Sequence, residues 1–264
     1  MIITEKFVYI HWPKTGGTFV TQVLHELIFV RGASPPGSAI NVNCALTGTS
    51  EKHDHVHQIP QPFRNRKVLF TIRNPYDHLV SLYEFGWWKN HLNDTFDEAK
   101  MKKLYHQYPD ISFSDYIQSI YDWNLLSSEC LDYLWSNECV STRVFERANV
   151  GLITMEFINY AFNEPNKVIN NLPRFLDEGN YLNELPDITF IRCEDLNREL
   201  AEFLLGVGYP REGLEFILHL GKIRPEGGSR DPASDWKDYY TYDLKALVKE
   251  KERFLFKMFP DYDV

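Results

Sequence analysis

The chain has 264 residues, 44% of them hydrophobic and 15% aromatic, enough for one large domain or two small ones around a sizeable core. A formal net charge of −9 excludes a general binder of nucleic acid or anionic membrane, which needs a dominant basic field, while leaving room for a locally basic cleft. No stretch approaches the length of a membrane span, and the expectation is a chain without a signal peptide before its first strand. The cysteines Cys44, Cys130, Cys139 and Cys193 form no C-x-x-C pair. Free thiols in a cytoplasmic protein are expected.

Lys6-Phe7-Val8-Tyr9-Ile10 is a short run of strand formers, and Pro13-Lys14-Thr15-Gly16-Gly17-Thr18 follows it. From Phe19 the apolar residues fall at 20, 23, 24, 27 and 28, a helical period. A strand therefore turns through two glycines into a helix. Glycines let the backbone approach a ligand closely, and the N–H groups of a helix's first turn favour an anion. Lys14 adds a full charge, and Thr15 and Thr18 add hydroxyl donors. The segment reads as a phosphate cradle.

Residues 31 to 50 are rich in Gly, Pro, Ser, Thr and Asn and read as a long surface connection. His53, His55 and His57 alternate, so in an extended segment they would share one face. After Arg64-Asn65-Arg66-Lys67, the continuous apolar run Val68 to Ile72 suits a strand buried on both faces. Arg73 ends that strand. Asn74, Pro75 and Asp77 then fit an N-cap, a first helical position and an acid-favoured first turn, of a helix running towards Trp88. From 95 to about 185 the chain reads as mostly helical, the expected acceptor side. Asp187 to Arg192 is a further short strand leading into a helix from Leu196 to Val207. A last helix is expected from roughly Tyr239 to Phe259, with the charged run Lys245 to Arg253 as its solvated face. With no clean linker, the expectation is a single α/β domain over residues 1–264: a central parallel sheet flanked by helices.

Ligands of such sheets bind at the carboxyl ends of the strands. Lys14, the histidine segment and Arg73 all satisfy that rule, and Arg73 and Ser81 can face one anion. The cradle differs from the nucleoside-triphosphate loop, because its lysine precedes the glycines and no strand ends in a magnesium-binding acid. Binding of a phosphorylated ligand without a metal is the reading. Three alternatives stand beside it. His53, His55 and His57 could hold zinc in a hydrolase or lyase; the chain could be a kinase; or it could be a binder that has lost its chemistry.

Together these segments resemble the sulfotransferases that use 3′-phosphoadenosine 5′-phosphosulfate (PAPS). Pro13 to Thr18 resembles their 5′-phosphosulfate loop, and Arg73 with Ser81 eight residues later resembles their 3′-phosphate element. Phe190-Ile191-Arg192-Cys193-Glu194-Asp195-Leu196 is similar to a recurrent strand-to-helix segment, and the loop of Gly227-Gly228-Ser229-Arg230 to a late cofactor-covering loop. His53-Asp54-His55-Val56 is nearest to the heparan sulfate 2-O-sulfotransferase-like branch, where such a segment supplies the base. The resemblance implies a P-loop-like fold and in-line transfer of a sulfuryl group to an acceptor hydroxyl, carbohydrate favoured, with adenosine 3′,5′-bisphosphate leaving. It implies His55 as base with His53 its neighbour and Lys14 as charge stabiliser. Cofactor contacts would come from Lys14, Thr15, Gly16, Gly17, Thr18, Phe19, Arg73, Ser81, Ser229 and Arg230.

Overall fold

The computed structural model describes residues 1–27, 39–40, 53–134, 149–223, 230–231 and 234–264, with the backbone alone at 39–40, 177 and 180. Cys44, Cys139, Ser229 and, apart from 39–40, the 31–50 connection lie outside the described residues. The chain divides into two compact units, one of 1–73, 160–163 and 184–226, the other of 74–159, 164–183 and 227–264.

The first unit holds a five-stranded sheet. Its strands are β1 (Ile2–Thr4), β2 (Phe7–Ile10), β3 (Ala39–Ile40), β4 (Lys67–Ile72) and β5 (Ile188–Arg192), in the spatial order β3-β1-β2-β4-β5. The expected parallel centre is present: β2 pairs with β4 and β4 with β5, placing Phe7 opposite Lys67 and Ile72 opposite Arg192. Every residue of β2, and Val68 to Ile72 of β4, is buried, which is why both read as unbroken apolar runs. The edge differs from expectation, since β1 runs antiparallel to β2 and β3 antiparallel to β1. The Thr4 hydroxyl makes that reversal, accepting the N–H groups of Lys6 (3.2 Å) and Phe7 (3.0 Å) and donating to the Phe7 carbonyl (2.8 Å).

Helix α1 (Gly17–His25) buries Phe19, Val20, Val23 and Leu24, which join a core with Phe7, Tyr9 and Leu69 of the sheet. Leu200, Phe203 and Leu204, from the helix Leu196–Gly206, complete it. The Phe7 and Phe203 rings meet edge to face at 5.1 Å.

The second unit is helical, and the expectation for 95–185 holds across the described residues. Helix α2 (Pro75–Phe85) starts as anticipated, with the Asn74 side chain accepting the Tyr76 N–H at 2.9 Å. It stops short of Trp88 because Gly86 takes a left-handed conformation (φ 66°), and Trp87–Asn90 forms a separate turn. The last helix is likewise broken, into Tyr242–Lys251 and Arg253–Met258. Between them, Glu252 is wholly buried rather than solvated. Its carboxylate accepts the Tyr121 hydroxyl (3.0 Å) and the Thr154 N–H (2.8 Å) and hydroxyl (2.6 Å).

Burial pushes the Glu252 carboxyl up to about 7 even though these donors favour its charged form. A carboxyl raised on folding contributes stability that is complete below its unfolded pKa and is lost as pH rises through the folded one. Between about pH 4.5 and 7 the wild-type chain should therefore lose up to about 3 kcal/mol relative to Glu252→Gln, read from urea midpoints. Parallel curves for the two chains would contradict it. Among the described residues no helix is long and apolar enough to cross a membrane.

Candidate active site

The first unit brings the cradle, Arg73 and the histidine segment to one end of the sheet. β2 leads into the loop through Trp12, which is 1% exposed and packs on Phe70 of β4 at 5.9 Å. The loop then takes two left-handed residues, Lys14 (φ 64°) and Gly16 (φ 93°), before α1 begins. Thr15 departs from expectation. It is fully buried, its hydroxyl donates to the Trp12 carbonyl at 2.7 Å, and it pairs with the Thr71 hydroxyl of β4 at 2.7 Å. With the Thr15 proton spent on Trp12, Thr71 must donate to Thr15, which leaves Tyr9 as donor to Thr71 at 3.3 Å. That chain ties the loop to the sheet, so only the Thr15 backbone is placed to meet a ligand. Phe19 is also buried (3% exposed) and its ring belongs to the core, whereas Thr18 is half-buried in the first turn of α1.

Gly16 is required by its left-handed backbone and Gly17 by its neighbour. A Cβ at Gly16 would come within 2.6 Å of Leu196 Cδ2 and 3.4 Å of Cys193 Sγ. The strand-to-helix segment singled out in the sequence thus packs directly on the cradle. A Cβ at Gly17 would lie 1.8 Å from both Cδ2 and Nε2 of His11. His11, which sequence reasoning passed over, has its imidazole seated on the start of α1. The available signal was its position, one residue beyond the end of β2.

Lys14 and Arg73 carry the local charge. Arg73 follows β4 directly, and its Nη1 donates to the Lys14 carbonyl at 3.0 Å, drawing the cation onto the loop. Burial pushes the Lys14 ammonium down to about 8, and the neighbouring guanidinium pushes in the same direction. An anion held at this place would relieve both effects.

The histidines do not lie on one extended segment. Val56–Gln58 is a turn of 3-10 helix with His55 at its N-cap, because the Gln58 side chain accepts the His55 N–H at 2.7 Å. His53 is half-buried against the cradle, its Nδ1 3.1 Å from the His11 carbonyl and its ring 4.6 Å from the His11 ring. A carbonyl only accepts, so His53 Nδ1 carries a proton, and whenever the ring is neutral the lone pair is on Nε2. His55 is buried (6% exposed), with its ring 4.3 Å from that of Tyr160 and 5.2 Å from that of His57. Burial first, then His57, push its imidazole down to about 4. Among the described residues no three His, Cys, Asp or Glu side chains are grouped to hold a metal ion.

Ser81 and Arg230 lie in the second unit. Ser81 is half-buried within α2. Arg230 pairs with Asp77 at 2.5 Å and donates to the Ser234 carbonyl at 3.1 Å.

No family model matches this chain, and no curated protein does. Among solved structures it is similar to mouse sulfotransferase SULT7A1 complexed with PAP. The identity is 11% and the TM-score 0.46, over 95% of this chain and 86% of that one. Likeness at that level is too remote to carry fold or function.

Proposed function

We propose that the chain is a PAPS-dependent sulfotransferase acting on an acceptor hydroxyl, with carbohydrate the favoured acceptor class. The observation that carries the reading is the convergence of Lys14 and Arg73 on a glycine-lined helix start, beside a histidine whose Nε2 bears a lone pair. Two half-buried cations and the first-turn amides of α1 suit the anionic end of a phosphosulfate. PAPS would supply an activated sulfuryl group. His53 Nε2 would take the acceptor's proton as the new O–S bond forms and the bond from sulfur to the 5′-phosphate oxygen breaks, and Lys14 would stabilise the charge left on that phosphate. This ordering prefers His53 to His55, whose ring is buried and whose basicity is lowered.

Titration calorimetry tests the cofactor class. Adenosine 3′,5′-bisphosphate should bind without metal and more tightly than ATP with magnesium; the reverse preference would sink the sulfotransferase reading. Arg73→Ala should weaken bisphosphate binding at least tenfold, the effect of losing a charge-assisted hydrogen bond of about 1.5–3 kcal/mol. Unchanged affinity would remove Arg73 from the site.

A further inference from the structure

We propose that His11 is a positioning residue for the transfer, fixing the tautomer and tilt of His53 at the cradle, and that residue 17 is glycine to seat the His11 ring. The proposal rests on the sulfuryl-transfer reading for the reaction served, while the seat itself is a matter of packing. One residue makes both contacts. The His11 carbonyl accepts a hydrogen bond from His53 Nδ1 at 3.1 Å, which leaves Nε2 as the acceptor nitrogen of the neutral ring. The His11 ring meets the His53 ring at 4.6 Å with the planes 56° apart, so it limits how His53 can tilt.

The His11 ring is itself confined. It is buried (6% exposed), stacks over the Tyr9 ring at 6.1 Å and 17°, and occupies the place where a side chain on residue 17 would stand. A methyl group there would interpenetrate the imidazole at 1.8 Å and 2.5 Å, so the ring would have to leave. A base must be held within about half an ångström of its working place, because a misplacement of about 1 Å can cost 10²-fold in rate.

The experiment uses the full chain as wild type, His11→Ala, His11→Phe, Gly17→Ala and the His11→Ala/Gly17→Ala pair. Imidazole nitrogen NMR at pH 8 reads the His53 tautomer directly. Wild type and His11→Phe, which refills the ring volume, should hold the Nδ1–H form. His11→Ala and Gly17→Ala keep the carbonyl but lose or displace the ring that holds His53 Nδ1 against it, so both should give a mixed population. In the double variant, adding Gly17→Ala should change the tautomer far less than it does in wild type, since no ring remains to be displaced. PAPS turnover with methyl β-glucoside as probe acceptor, whose hydroxyls are not ionised at the assay pH, should fall about 10- to 100-fold in His11→Ala and largely return in His11→Phe. Bisphosphate affinity in His11→Ala should stay within about threefold of wild type.

An unchanged His53 tautomer in Gly17→Ala, or an equal Gly17→Ala effect in both backgrounds, would overturn the seat. Failure of the wild-type chain to bind bisphosphate would instead sink the transfer reading, and the NMR comparison would still decide the seat.

Discussion

Lys14→Ala is expected to lower sulfuryl transfer by about 10²–10³-fold, the usual cost of removing one preorganised donor from developing negative charge. It should also weaken bisphosphate binding, and the pH dependence of binding identifies the lysine as the cause. With the ammonium pushed down to about 8, roughly half of the ligand-free molecules carry a neutral Lys14 at pH 8. A bound dianion favours the charged form and raises that value. Binding near pH 8 must then take up a fraction of a proton, and affinity must fall as pH rises through about 8. Calorimetry in two buffers of different ionisation enthalpy measures the uptake. It should vanish in Lys14→Ala, and also in Lys14→Arg, whose charge does not titrate in this range. Proton uptake undiminished in Lys14→Ala would remove the lysine from the anion site.

His53→Ala should abolish turnover to within the contribution of a general base, about 10²–10⁴-fold, with bisphosphate affinity nearly unchanged. His55→Ala should retain more activity, its loss coming from a vacated space against Tyr160 and His57. The pH profile offers a separate check. A base that ionises near 4 would put the acid limb of kcat/KM there, and burial pushes His55 down to that value. A limb near pH 4 that disappears in His55→Ala would return the role to His55.

The strand–loop–helix around Lys14 and the strand ending at Arg73 were legible because continuous apolar runs and a glycine pair are local signals. β1 was not, since three residues are too few to show a period, and its pairing depends on the Thr4 hydroxyl. The alternating histidines suggested an extended strand, but one side-chain bond from Gln58 curls that segment into a turn. Thr15 and Glu252 each sat among residues of a plain solvent-facing or ligand-facing type. Their burial is decided by partners far along the chain, Thr71 for one and Tyr121 and Thr154 for the other. His11 was hidden for a related reason: what gives it meaning is the missing side chain six residues later.

The left-handed backbone at Lys14 has a consequence for engineering. An L-residue with a side chain held at φ 64° forgoes about 1 kcal/mol that glycine would recover, so the most obvious thermostabilising substitution in the cradle falls on its charged residue. Variants selected for yield or heat tolerance alone would drift towards glycine at 14 and lose the proposed anion contact as they improve. Any programme to harden this protein has to hold position 14 fixed and draw its gains from the second unit.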